Sequence, residues 1–347
     1  MPSLPSLLGT RRAPMESSGD TAPEGPGALD GALDGARGDA PCDAPGEPLG
    51  DAELLAARAA LAQGRWQAAR SLLLHTGDDW DRRGHRVTVL AADPCAAARA
   101  RDWLLAESEP GPGSGPADAA TLYAHALVAR ALRGREDPGR ARDACRTAAA
   151  LAPADPTPWL GLLLLARTQG PEGELLRAFA EVRARHPEHH HAHHLLVARL
   201  AERPHAGPAE SHEVYDLAER AAAEAPADSP LAVLPVVAYA ERYRALAATG
   251  LAPADPAACG HWSGPRARRI LRAAFDWWLE WEHDEHPRRH VDLNHLAFAM
   301  SCAGRRAEAA ALFGRIGRHA TTAPWSYPHR DPRRAFHAAR ARALGRA

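Results

Sequence analysis

The sequence predicts an all-α fold, an irregular solenoid of antiparallel helix pairs behind a disordered N-terminal tail. Three observations predict it. Pro153 and Pro187 stand 34 residues apart, each closing a run rich in Ala and Leu. Trp159, Gly170 and Phe179 lie between them, small and aromatic landmarks spaced as in a pair of crossing helices. The pattern returns late in the chain with Leu296, Ala297, Met300, Gly304, Ala309 and Phe313. A fixed period of this length marks units that bury their apolar faces only by stacking on one another.

The elements follow in order. Residues 1–49 are rich in Pro, Gly, Ala and Asp, carry the near-repeat Gly27 to Gly35 and hold no aromatic residue. Too little apolar surface is available there to offset the entropy of ordering, so a disordered tail is expected. Met15 is a second candidate start. Asp51 suits an N-cap for a helix through Ala62. Gly64 breaks that helix, and Trp66 opens a second one ending near His75. Residues 84–106 supply another pair, Arg86 to Ala91 and Cys95 to Ala106. The Pro/Gly stretch in 109–118 reads as a linker between N-terminal helical pairs (50–108) and the main array (119–347).

Within the array, Ala129, Ala141 and Ala148 allow two helices to cross closely before Pro153 stops the second. Trp159, Leu162, Gly170 and Phe179 mark the next pair. A third opens with His193, Leu196 and Leu200, is interrupted around Arg203 to Ala209, and resumes to Pro226. Leu231–Ala248 and an aromatic helix Arg266–Glu285 flank a loop from Gly250 to Pro265. After the last pair, Asp331–Leu344 reads as a capping helix with an Arg-rich outer face.

These landmarks resemble the tetratricopeptide-repeat family over most of residues 119–318, and less closely over 51–75. The strict pattern departs at Leu175 and Leu176, near where alanine is usual. The resemblance implies that the first helix of each repeat lines a concave groove. It places Tyr123, Arg130, Arg133, Arg167, His191, His194, Glu241 and Asn294 on that face. It also implies a scaffold or adaptor that binds a peptide or partner segment there. All 42 basic residues are arginine, so the lysines of the family's chaperone-tail carboxylate clamp are missing.

Composition narrows the function classes. A net charge of −1 speaks against nucleic-acid binding by bulk basicity. No stretch reaches the roughly 18 apolar residues that would span a bilayer. Five scattered cysteines without a CxxC pair suit reduced thiols in the cytoplasm. P-loop, GxGxxG, HExxH and GxSxG motifs are missing, so the sequence assigns no catalytic residue and no cofactor.

Three clusters stand out. Trp277, Trp278 and Trp281 crowd one helix; Trp278 is turned away from the other two and is the candidate anchor for a partner. The run His186 to His194 holds the i,i+4 pairs His189/His193 and His190/His194, which would need a ligand from another repeat to make a metal site. The stretch 283–295 mixes imidazoles and carboxylates; His283, His286, His290 and Asp292 are the candidate metal ligands of an alternative reading, a metal-binding protein or metal-dependent enzyme. The same stretch also joins two helices, and His295 fits a core position. Deleting residues 1–49 is expected to leave the melting temperature unchanged, and a clear drop would contradict the tail boundary.

Overall fold

Helix starts follow side-chain caps and helix ends follow glycine and proline. The computed structural model describes residues 49–107, 116–204, 211–281 and 285–345. Asp51 accepts the Leu54 amide at 2.9 Å and opens α1 (Ala52–Ala62). Gly64, at φ +89°, takes a left-handed turn that a side chain would strain, and leads into α2 (Gln67–Thr76). Next comes α3 (Trp80–Ala91), which starts earlier than its apolar pattern suggests because Asp79 caps it through the Arg82 amide. The following helices are α4 (Ala96–Ala106), α5 (Ala117–Leu132), α6 (Pro138–Leu151), α7 (Thr157–Gln169) and α8 (Glu172–Arg185). Then follow α9 (His190–Leu200), α10 (Glu213–Glu224) and α11 (Leu234–Ala248). The chain ends with α12 (Pro265–Glu280), α13 (Arg289–Cys302), α14 (Arg306–Ile316) and α15 (Pro332–Ala343). Among the described residues there is no strand, and the helices pack against their neighbours in chain order, so the fold is an all-α helical solenoid. The tail through residue 48, the linker residues 108–115 and His283 lie outside the described residues. Both α3 and α4 pack on α5, so helical packing continues from one side of the linker to the other.

The helices form two rows with different surfaces. Inner helices α5, α7, α9, α11 and α13 lie side by side, and each also packs on a partner in the outer row. The inner helix α13 buries eleven of its 14 residues, whereas the outer helix α8 buries only Leu175, Ala178 and Val182. A helix covered on all sides is apolar all round, and one at the surface carries a single apolar stripe. The run Leu160–Leu165 belongs to the first kind.

The inner row begins with α3, which reaches past α5 to α7 and α9. Gly84 makes that approach possible. A Cβ there would come within 3.1 Å of Leu160 Cδ2 and 3.3 Å of His189 Nε2. Arg82 also donates to the Glu285 carbonyl at 3.1 Å. The solenoid therefore curls until its second helix pair meets the segment before α13.

Two features differ from the sequence reading. First, α12 ends at Glu280, with Trp281 leaving the helix at φ −110°. Its buried stripe is Ala267, Ile270, Leu271, Ala274 and Trp278, a 3.6-residue phase that includes Trp278. Trp278 is therefore a core residue at 8 % exposure, and Trp281 is the exposed tryptophan. Second, the segment between α14 and α15 carries no repeat landmark but folds back on the stack. Trp325 and Tyr327 are buried there, with the Trp325 ring against Phe298, Phe313 and Phe336. Burying one such ring contributes about 5 kcal/mol of transfer free energy.

Two histidines away from the inner cluster tie helices through backbone carbonyls. His125 Nε2 donates to Thr157 O at 2.8 Å and His261 Nε2 to Tyr239 O at 2.9 Å. Burial pushes His261 down to about 4 and lowers His125, outweighing the carbonyl bonds that favour the charged rings. Both rings are neutral when folded, and the unfolded chain takes up protons near pH 6.5. Stability is thus complete above that pH and falls as pH drops from about 6.5 toward 4. Glutamine keeps the donor without the titration, so the double variant His125→Gln and His261→Gln is expected to lose less of its melting temperature between pH 7 and 4.5 than the parent. Parallel melting-temperature curves for parent and variant would refute this.

Candidate metal centre

Because α9 sits in the inner row, its histidine-rich first turns face the interior. His189, His190, His191, His193 and His194 are all buried, and only His186 is half-exposed. Two carboxylates from distant helices meet them. Asp292, on the first turn of α13, places its oxygens 3.0 and 2.8 Å from His190 Nε2 and 3.3 Å from His194 Nε2. Asp81, on the first turn of α3, accepts the His190 backbone amide at 2.9 Å and lies 3.0 Å from His186 Nε2. Its other contacts are His189 Nδ1 at 3.3 Å and His286 Nε2 at 3.7 Å.

His190, His286 and Asp292 each offer one ligand atom, and these lie within 4.8 Å of one another. The rings of His190 and His286 are 4.5 Å apart, and those of His190 and His194 are 4.1 Å apart. Burial pushes His190 down to about 3 and His189 to about 4, outweighing the neighbouring carboxylates. Burial alone would raise Asp292, but His190 and His194 outweigh it and hold the carboxyl far below its ordinary range. Burial would likewise raise Asp81, and the hydrogen bonds of His186 and His286 hold it well below. His189 and His190, held neutral beside ionised carboxylates, are in the protonation state in which they ligate a metal, whereas at His186 burial is outweighed by the Asp81 hydrogen bond and charge, which raise the ring.

The sequence-predicted ligands divide. His286 and Asp292 enter the cluster. His290 turns to the opposite side, its ring stacked 4.4 Å from His319. Sequence spacing put His290 and Asp292 together because they are close in the chain, but residues two apart on a helix point in different directions. Asp81 was missed. Its local pattern, an acidic residue in the first turn of a helix, is that of any surface N-terminus.

The residues expected on a groove differ in their exposure. Arg167, His191, His194, Glu241 and Asn294 point inward but are buried. Arg167 donates to Glu202 at 2.7 Å, as does Arg244, which also holds Glu241 at 2.7 Å. Tyr327 donates its hydroxyl to the other Glu241 oxygen. Burial would raise Glu241, but Arg244 and Tyr327 outweigh it and leave the carboxyl lowered. Arg133 donates to the Ala92 carbonyl, Arg130 pairs with Glu136 at 3.6 Å, and half-buried Tyr123 packs on the core. Arg167, Glu202, Arg244, Glu241 and Tyr327 thus form one polar network between inner helices, while Arg133 is exposed.

Fold and site together define an all-α helical-repeat protein with a buried histidine–carboxylate cluster. Comparison with known proteins gives no match to a protein-family model, a curated protein or a solved structure.

Asn294 sets the orientation of α13 beside this cluster. Its amide donates to the carbonyls of His290 (2.6 Å) and His319 (2.9 Å), and its oxygen accepts from Trp325 Nε1 (2.7 Å) and Thr321 N (3.3 Å). Asn294→Ala strands these buried groups and is expected to cost roughly 3 kcal/mol or more in urea denaturation. A loss below about 1 kcal/mol would contradict this role.

Proposed function

We propose that this is a metal-binding helical-repeat protein that holds a transition-metal dication on His190, His286 and Asp292, with His194 beside them. The observation that carries the reading is the convergence of three ligand atoms within 4.8 Å, from α9, α13 and the segment between α12 and α13. Imidazole with carboxylate suits zinc and its neighbours better than calcium or magnesium. Ligands about 2.1 Å from a tetrahedral ion stand about 3.4 Å apart, so closure on an ion asks each atom to move inward by less than about 1 Å. His286 Nδ1 accepts the Arg288 amide at 3.2 Å, which leaves the ring proton on Nε2. Ligation through Nε2 requires the other neutral tautomer, with the proton moved to Nδ1 and the Arg288 amide bond given up. The ion ties α9 to α13 and works as a fastener of the curl.

A second reading, a scaffold of the tetratricopeptide-repeat type for a peptide or protein partner, is favoured by one outward-facing cleft of about 260 Å³. Phe179, His193, Leu196 and Leu217 line it, with Arg183 and Arg220 also on its walls. No helix among the described residues is long and apolar enough to cross a membrane. Cys95, Cys145, Cys259 and Cys302 are free, which fits reduced cytoplasmic thiols.

The test uses the full untagged chain, purified without chelator, with metal measured by plasma mass spectrometry. At least one bound zinc-class ion per chain is expected, with the ion lost in Asp292→Asn. At a free ion concentration 100 times Kd, added zinc should stabilise the parent by about 2.7 kcal/mol. Equal metal content in parent and variant, with no thermal shift on zinc addition, would overturn the reading.

A further inference from the structure

We infer that the cluster holds a second metal ion, on Asp81, His186 and His189, on the far side of His286 from the first. This rests on the metal-binding reading above and deepens it.

The two halves of the cluster repeat one arrangement. In each, one carboxylate from another part of the chain faces two imidazoles of the same histidine run. Asp292 faces His190 and His194, and Asp81 faces His186 Nε2 at 3.0 Å and His189 Nδ1 at 3.3 Å. His286 stands between them, with Nε2 3.7 Å from Asp81 and a ligand atom within 4.8 Å of His190 and Asp292. Its ring can serve either ion.

His189 is the independent sign of a ligand. It is 1 % exposed, and neither ring nitrogen makes a well-directed hydrogen bond, Nδ1 having only the 3.3 Å approach of Asp81. A buried imidazole left in that state costs free energy that a hydrogen bond or a metal bond would recover. The ring is also given deliberate room, since Gly84 on α3 supplies the space in which a Cβ would press on His189 Nε2. Asp81 has capacity to spare. One oxygen takes the His190 amide and the other meets His186, leaving lone pairs for an ion.

Charge sets the order of filling. Two dications against Asp81 and Asp292 leave an excess of positive charge beside the buried Arg288. The second ion therefore binds more weakly than the first, and a solvent-derived hydroxide between the two would relieve part of the repulsion.

Equilibrium dialysis of the full untagged chain against zinc, with metal and protein both quantified, tests this. The parent is expected to bind two ions in two affinity classes, and Asp81→Asn, His189→Asn and Asp292→Asn one each. Asparagine at 81 keeps an acceptor for the His190 amide, and circular dichroism and metal-free melting of each variant check that it folds. One ion in the parent, kept in Asp81→Asn and lost in Asp292→Asn, would overturn the second site and leave the first standing. Two ions in parent and Asp81→Asn alike would place the extra ion elsewhere and also overturn it. A single ion lost in Asp81→Asn but kept in Asp292→Asn would overturn the first site instead, and no ion at all would overturn both.

Discussion

The carboxylate of Asp81 holds the curl of the inner row. It bridges parts of the chain that local structure keeps apart, accepting the first amide of α9 and pairing with His186 just before it. A carboxylate at this depth is costly to desolvate, and the positive end of α9 together with three imidazoles compensates for it. With Asp81 in place, α3 lies against α9 and Gly84 lies against His189. The same contact turns the histidine run of α9 inward, where Asp292 meets its other half.

The elements were legible because their signals are local. Asp51 and Asp331 both accept amides at the helix starts where the sequence places them. Pro153 and Pro187 follow the ends of α6 and α8. The boundary errors are local too: the start of α3 lies in a polar, apolar-poor turn, and the end of α12 lacks a glycine. The site was legible only in parts. Both histidine groups drew attention by composition, but their meeting depends on a curl set by contacts more than one hundred residues apart in sequence, for which no periodicity speaks. Trp278 shows the same limit from the other side. The spacing of Trp277 and Trp278 fixes that they point different ways, while the face that turns inward is fixed by the rest of the helix.

The interior is polar to a degree that helical repeats do not require. Besides the histidine cluster, Arg83 pairs with Asp118 and Asp155, Arg86 with Asp51 and Glu53, and Arg244 with Glu202 and Glu241. Arginine suits these sites because its planar fork satisfies two acceptors while staying charged at any accessible pH. Such networks add little net stability against an apolar packing of equal volume, but each fixes one register among the sliding alternatives that alanine-rich helices permit. Where the inner row closes, through Asp81 with His286 and Arg82 with Glu285, polar side chains of distant parts of the chain meet.

That closure removes the independence of neighbouring units on which an open solenoid relies. The Arg82 contact with Glu285 spans 203 residues. On a ribosome adding about 5–20 residues per second, the first partner emerges roughly 10–40 s before the second. Throughout that interval the histidines of α9 and the Asp81 carboxylate stand in water, open to whatever ions the cell offers. On the metal-binding reading, the moment of synthesis is thus when this interior is most easily loaded, and the last helices to emerge decide what is shut inside.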